Sequence, residues 1–258
     1  MAKNNLTPQK RMEYIREQLA RKGEVEIDRL ARLLKVSEMT IRRDLSVLEK
    51  RGEIVRTYGG ATSAERLTFE FTFKSQYQKN LQAKRAIAQK ALAFIKDGQT
   101  IILDTGTTTL EIARALRGKR KITIITTSLA VVSELQFDVD IELILLGGYL
   151  RDGSPDLHGP LTEQNLEMFR VNITFLGADA IGGDGVIYTN DLRVKKLDVI
   201  MAKISEKIIP VADSSKFNKQ ALCKIIGPKQ YDTLITDKGI DKRIIKKFEK
   251  MSIDVVVA

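Results

Sequence analysis

From Asn80 to the C-terminus, short runs of uninterrupted apolar residues alternate with segments of helical period, and this alternation restricts the fold more than any other feature. The pattern predicts a helix to about Phe94, a strand at 100–104, a helix at 108–117 and a strand at 122–126. A helix at 129–136 and a strand at 141–146 follow, with further strands near 173–178, 207–212, 232–236 and 253–257. Strands that are apolar on both faces leave no side for water, so they belong in a parallel sheet covered by helices. The predicted fold class is α/β.

In such a sheet ligands bind beyond the carboxyl ends of the strands. Those ends are Asp104-Thr-Gly106, Thr126-Thr127-Ser128, Gly147-Gly148, Gly177-Ala-Asp179 and Asp213-Ser-Ser-Lys216. Glycine permits close approach of a ligand, hydroxyls and carboxylates bind sugar hydroxyls, and Lys216 and Arg151 can neutralise a phosphate. The stretch from Ile101 to Leu116 breaks from strand to helix at Gly106, Thr107, Thr108 and Thr109. Free N–H groups at that helix start attract an anion. Threonine is also a common helix cap, which accounts for the same residues with no ligand at all.

The first sixty residues have a different pattern. Met12, Ile15 and Leu19 repeat at helical spacing up to Gly23; Ile27, Leu30, Ala31 and Leu34 repeat again; Ser37 caps a third helix with Ile41, Leu45 and Leu48 on one face, ending before Gly52. Only Lys35-Val36-Ser37 separates the second helix from the third, as in a helix-turn-helix. Glu38, Met39, Thr40, Arg42, Arg43, Ser46 and Val47 fall on the exposed sides of the third helix. Residues 53–61 then alternate apolar and polar up to Gly59-Gly60, the pattern of a hairpin. Together these predict a winged helix-turn-helix. A three-helix protein-binding module is the competing reading.

Charge favours the nucleic-acid reading. The 258-residue chain has a formal net charge of +10. Residues 1–60 carry 14 Lys and Arg against 9 Asp and Glu, so half of the surplus sits in the first quarter of the chain. A single cysteine, Cys223, and a single histidine, His158, exclude an internal disulfide and a Cys/His metal site. Cys223 is expected to pack in the core, and a lone loop histidine is more often structural than ligand-facing. No apolar run approaches the roughly 20 residues that span a bilayer. The expectation is a cytoplasmic protein without membrane contact, cofactor or metal.

The segment with Arg11, Ile15 and Leu19, followed by Ser37-Glu-Met-Thr-Ile-Arg-Arg-Asp-Leu45, resembles the DNA-binding signature of DeoR-type transcriptional regulators. Leu48-Glu-Lys-Arg-Gly52 and Val55-Arg-Thr-Tyr-Gly-Gly-Ala61 are similar to that family as well. The resemblance implies that Thr40, Arg42 and Arg43 sit in or beside the major groove of double-stranded operator DNA. Ser37 and Met39 complete the candidate set, and Arg56 and Tyr58 on the wing are candidates for backbone contacts. Asp44, repelled by phosphate, is expected to orient an arginine or cap locally.

The strand ends resemble the DeoR-type effector domain, which has the sheet architecture of ribose phosphate isomerases and senses phosphorylated sugars. The implied effector residues are Asp104, Gly106, Thr107, Thr108, Thr109, Thr127, Ser128, Gly147, Gly148, Arg151, Asp179 and Lys216. Three places depart from the family pattern: Thr127 for a usual Asn, Asn172 for a common Asp, and Asp191-Leu-Arg-Val-Lys-Lys196 for a more acidic stretch. The expected organisation is a DNA-binding domain at 1–61, a linker at 62–78 in which Phe69, Phe71 and Phe73 alternate, and a sensing domain at 79–258. The expected function is a repressor of a sugar-utilisation operon, acting as a dimer or tetramer. The alternatives are a sugar phosphate isomerase-like enzyme using Asp104 or Asp179 as general base, and a nucleoid protein with no effector.

Overall fold

The structure is a computed structural model that describes residues 7–22, 24–51, 53–57, 59–63, 73, 76–118 and 121–258. It divides into two compact units, Met1–Lys74 and Ser75–Ala258. Most of the segment expected as a linker, including Phe69 and Phe71, lies outside the described residues, as does Tyr58.

In the first unit, α1 (Pro8–Lys22), α2 (Ile27–Leu34) and α3 (Glu38–Lys50) converge on one core. Met12, Ile15, Leu19, Leu30, Leu34, Ile41, Leu45 and Leu48 are all buried in it, as their helical spacing requires. The tight turn between α2 and α3 depends on Lys35, whose left-handed backbone (φ 53°) ends α2. Ser37 then starts α3 by accepting a hydrogen bond from the Thr40 N–H at 3.2 Å. The hairpin pairs β2 (Ile54–Arg56) with β3 (Gly60–Ser63), and a third strand, β1 (Glu24–Glu26), adds to it in the order β1-β3-β2. At three residues β1 is too short to show a period. Gly60 makes the join possible, because a Cβ there would stand 1.8 Å from the Val25 carbonyl oxygen. Val47 is half-buried against the core, which corrects its expected exposure: the wing packs close to the end of α3.

The second unit is built on a seven-stranded sheet in which every pair is parallel. Its first half contains α4 (Leu81–Ala91), β4 (Thr100–Leu103), α5 (Thr107–Leu116), β5 (Ile122–Thr126), α6 (Leu129–Leu135) and β6 (Ile141–Leu145). A small hairpin follows, β7 (Tyr149–Leu150) with β8 (Leu157–His158), and then α7 (Pro160–Leu166). The second half contains β9 (Val171–Gly177), β10 (Ala180–Ile181), β11 (Ile187–Thr189), α8 (Leu192–Ile204) and β12 (Ser205–Val211). It ends with β13 (Cys223–Ile226), β14 (Thr233–Thr236), α9 (Lys242–Glu249) and β15 (Asp254–Val257). The main sheet runs β15-β14-β12-β9-β4-β5-β6.

That order has one switch point. From β4 the chain steps outward to β5 and β6, then returns to lay β9 on the other side of β4 and steps outward again. The loops after β4 and β9 therefore meet at this switch point, and the crevice expected at such a point is where ligands of such sheets bind. The alternation of strand and helix was legible in the sequence. The antiparallel sheet β10-β11-β13 and the β7–β8 hairpin were not, because their strands are two to four residues long. Cys223, on β13, is buried as expected.

Candidate functional site

At the switch point Asp104 follows the last residue of β4 and reaches across to β9. Its Oδ2 accepts the Gly177 N–H at 2.9 Å. A side chain at Gly177 would crowd that carboxylate, since its Cβ would lie 2.9 Å from Oδ2. Burial pushes the Asp104 carboxyl up to about 6, against the lowering effect of the Thr105 and Gly177 N–H groups; Asp156 adds to the rise and Arg151 opposes it.

Beyond Asp104 the chain turns at Gly106 into α5. Thr109 fixes the turn, its hydroxyl bridging the carbonyls of Asp104 and Gly106 at 2.6 Å each. Thr109 is thus an internal brace of the loop. The N-cap residue Gly106 has no side chain to cap α5, so the first-turn N–H groups at Thr107, Thr108 and Thr109 have no side-chain acceptor from that position, and Thr108 and Thr109 are buried. Gly106 has an ordinary extended backbone (φ −70°), so its value lies in the absent side chain and not in special dihedrals. The helix is held from behind: Glu111 accepts from the Tyr77 hydroxyl at 2.9 Å, from Arg85 at 3.2 Å and from Arg114 at 2.7 Å.

The other strand ends contribute unequally. Ser128 caps α6 through Val131 N–H at 3.3 Å, whereas the fully buried Thr127 hydroxyl has no hydrogen-bond partner. Gly147 borders open space, but a Cβ at Gly148 would stand 2.0 Å from the Thr162 hydroxyl, so Gly148 serves close packing. Asp179 uses Oδ2 to accept from Asn190 N–H at 2.7 Å and the Thr189 hydroxyl at 3.2 Å, leaving Oδ1 unengaged. After β12, Asp213 accepts from Asn80 at 2.8 Å and from Ser215 N–H at 3.1 Å. Lys216, half-buried in the same turn, has no acidic partner among the described residues.

Arg151, expected to neutralise a phosphate, is held by acidic neighbours. Its guanidinium grips both oxygens of the fully buried Asp156, at 2.8 and 2.7 Å, and reaches Asp191 at 3.1 Å. Burial acts against its charge, but these hydrogen bonds prevail and raise it further above its ordinary value. Asp191 caps α8 and binds Arg193 and Arg151, which hold it well below the usual carboxylate range. Arg151 therefore ties the β7–β8 hairpin to α8 and is not a free cation.

Two of the departures from the family pattern turn out to be structural. Asn172 lies at the opposite end of the sheet from the crevice, accepting the Thr100 N–H at 3.0 Å and donating to Glu206 at 3.1 Å. The stretch from Asp191 to Lys196 is the first turns of α8, where Lys196 pairs with Glu163. His158 sits in β8 with its ring 6.4 Å from that of Tyr149. One acidic residue of this region, Asp198 on α8, escaped the sequence reading because it lies in a run that reads as an ordinary amphipathic helix. Its spacing of two turns from Asp191 was the available signal.

In the first unit, Met39 is 66% exposed and Arg43 is exposed with no acidic partner among the described residues. Arg42 lies 3.5 Å from Glu38 one turn back, a loose pair that leaves it free to turn outward. The Ser37 and Thr40 hydroxyls are hydrogen-bonded to each other at 2.9 Å. Arg56 reaches from the wing to the Ser46 hydroxyl at 3.3 Å, which brings the wing and α3 onto one surface. Asp44 is buried and pairs with Arg11, meeting the expectation that it orients an arginine.

Residues 11–66 match the DeoR-like helix-turn-helix domain, and residues 79–238 match the DeoR C terminal sensor domain. A protein of Escherichia coli O157:H7, provisionally named an aga operon transcriptional repressor, is 36% identical over 96% of this chain and 93% of its own. The HTH-type transcriptional regulator GolR of Listeria innocua is 32% identical over 97% of this chain and 99% of its own. The lactose phosphotransferase system repressor of Lactococcus lactis is 32% identical over 95% and 97%. Among solved structures, ribose 5-phosphate isomerase A of Methanocaldococcus jannaschii aligns with 54% of this chain and 55% of its own, at 20% identity and a TM-score of 0.40.

Proposed function

The chain belongs to the DeoR family of DNA-binding transcriptional regulators, and from that premise we propose that it represses a sugar-utilisation operon and is released from its operator by a phosphorylated sugar. The observation that carries the sensing half is the switch point of the sheet, where α5 starts at Gly106 without a side-chain cap and the turn after β12 carries Lys216, a lysine with no acidic partner among the described residues. The phosphate binds the N–H groups of Thr107, Thr108 and Thr109, with Lys216 supplying charge. Asp104 and the free oxygen of Asp179 accept sugar hydroxyls, and Thr127 and Gly147 line the neighbouring strand ends. Arg151 positions Asp156 and Asp191 and touches the ligand only through them. Relatives named as repressors of an aga operon and of a lactose phosphotransferase system support the operon class.

The relatives that span nearly the whole chain are regulators, and the chain is a regulator and not an enzyme. A ligand that binds one DNA-affinity state better shifts the population without chemistry. In this reading residues 1–61 bind DNA, 62–78 link, and 79–258 sense, in the cytoplasm; among the described residues no helix is long and apolar enough to cross a membrane. The test is a thermal shift and operator-release assay against a panel of sugar phosphates. A ligand at 100 times its Kd adds about 2.7 kcal/mol of stability. Failure of every phosphorylated sugar to shift melting or release DNA overturns the sensing half.

For DNA, the exposed face of α3 with Arg56 beside it is the reading surface. Arg43→Ala should weaken specific operator binding by about 1–3 kcal/mol if Arg43 reads a base, or lower the salt slope by about one unit if it holds phosphate. Unchanged affinity in a gel-shift titration for both Arg43→Ala and Arg42→Ala would remove α3 from the interface.

We also propose a dimer or tetramer. The open edge of the sheet at β6 is flanked by Phe137, 88% exposed, and Val139, 97% exposed, and a symmetric partner would cover both. Light scattering at micromolar concentration should give at least a dimer. A monomer that binds operator tightly contradicts the assembly.

A further inference from the structure

The DNA-binding unit ends at Lys74, so residues 76–80, the first described residues of the sensing unit, lie on the covalent route between the two. Connecting segments are ordinarily solvated and lightly held. This one is fastened from three sides. Lys84, buried in the first turn of α4, donates to the backbone carbonyls of Gln76, of Tyr77 at 3.3 Å and of Lys79 at 2.7 Å. All three of its ammonium donors are thereby spent on the main chain of the segment.

Tyr77 is the second point. Its ring lies under the guanidinium of Arg114, with 4.9 Å from the charge to the ring centroid, and its hydroxyl accepts from Arg114 and donates to Glu111 at 2.9 Å. Asn80 is the third. It precedes α4 as N-cap, where an asparagine side chain ordinarily accepts from the helix's own first-turn N–H groups, yet here it makes no such bond. Its backbone is left-handed (φ 55°), and its Nδ2 donates to Asp213 Oδ1 at 2.8 Å and to the Ser215 hydroxyl at 3.3 Å.

Two of the three points stand on the elements that carry the proposed anion contacts. Glu111 lies on α5, one turn beyond Thr107 and Thr108. Asp213 and Ser215 belong to the turn of Lys216: the oxygen that holds Asn80 also accepts the Ser215 N–H at 3.1 Å, and the Asp213 carbonyl accepts the Lys216 N–H at 3.0 Å. A shift of Lys216 toward an anion therefore acts on the same residue that holds Asn80.

We propose that Tyr77, Asn80 and Lys84 form a latch through which occupation of the anion site is passed to the DNA-binding unit. This rests on the sensor reading and gives its route of regulation. An anion held by α5 and Lys216 favours one setting of the Glu111 and Asp213 anchors, and the segment takes the position those anchors allow. Lys84 ties the main chain together, so a shift at Tyr77 or Asn80 moves the segment as a unit.

Operator titration of the full chain, with and without saturating glucose 6-phosphate, galactose 6-phosphate, fructose 6-phosphate or inorganic phosphate, gives the ratio of operator Kd values that measures coupling. Asn80→Gly keeps the left-handed backbone and removes the amide, Tyr77→Phe removes only the hydroxyl, and the two are combined. With at least one compound the wild type should show a ratio of about 5–150, the range of a typical coupling energy, and the double variant a ratio of about 1–3. Calorimetry should show that the double variant still binds that compound. A purely structural anchor predicts a lower melting temperature of the larger unit with the ratio intact. That outcome overturns the latch and leaves the sensor reading standing, as does loss of the compound's binding, which would make Asn80 or Tyr77 a ligand residue. Asn80→Ala alone, checked by melting, serves if the double variant does not fold. If none of the four compounds changes wild-type operator affinity, the latch and the sensor reading fall together.

Discussion

Asp44→Ala should unfold the DNA-binding unit and abolish operator binding while the larger unit still melts where it did. Arg11 on α1 and Asp44 on α3 are both buried and joined by two hydrogen bonds, Nε to Oδ2 at 2.7 Å and Nη2 to Oδ1 at 3.0 Å. Removing the carboxylate takes the two Asp44 hydrogen bonds and their charge away from a buried guanidinium, and breaking a buried pair in this way costs about 3–5 kcal/mol. A unit of this size has little more stability than that to lose. The pair clamps α1 to the helix proposed to read DNA, so the loss of geometry and the loss of binding are one event. Arg11→Leu combined with Asp44→Leu removes both charges and should recover most of the melting temperature, because an apolar pair replaces a buried ion pair at little net cost. Two-transition calorimetry separates the units. A normal first transition in Asp44→Ala would show that the pair contributes nothing to the core.

Asp44 also illustrates what sequence can yield. A carboxylate at that point of a DNA-facing helix is repelled by phosphate, and that argument narrowed its role to orienting an arginine or capping locally. Which arginine was not legible, since Arg11 lies 33 positions away. The seven strands of the main sheet and the helices between its first strands were legible from their period, because burial of one face or two imposes it. The strands β1, β7, β8, β10, β11 and β13 were not: β1 exists because Gly60 admits the Val25 backbone, a contact between distant positions. At the candidate sensing site the strand ends were legible as a set, whereas the role of each residue was not. Arg151 was read as a phosphate ligand from its charge alone, and its engagement by Asp156 and Asp191 depends on a hairpin of two-residue strands. Asp198 was invisible for the converse reason. A charged residue in a helix is ordinarily solvated, and only the packing of α8 makes this one buried.

Gly106→Val and Lys216→Ala should each give a protein that binds operator and no longer responds to its sugar phosphate, a permanently repressed phenotype in the cell. The two substitutions act on one anion from different sides. At Gly106 a Cβ would meet the Thr109 hydroxyl at 3.7 Å, the Gly177 Cα at 3.8 Å and the Asp104 carboxylate at 4.0 Å. These are ordinary contacts, and the backbone there is extended, so the loop can carry a side chain with modest strain. What valine changes is the space before the Thr107–Thr109 N–H groups, where its methyls stand in the path of the phosphate. Gly106→Ala, smaller by two methyls, should weaken the response less than valine does. Lys216→Ala keeps the space and removes the charge; a charge-assisted hydrogen bond contributes about 1.5–3 kcal/mol, so ligand affinity should fall by roughly 10–150-fold. Lys216→Arg should restore part of that, with altered geometry. Operator titration with and without ligand separates the outcomes. Normal release of DNA by both Gly106→Val and Lys216→Ala would place the phosphate elsewhere. Conversion of the ligand by wild-type protein, followed by NMR, would revive isomerase chemistry, whereas a ligand that releases DNA and is recovered unchanged makes the loop from Asp104 to Thr109 a receptor.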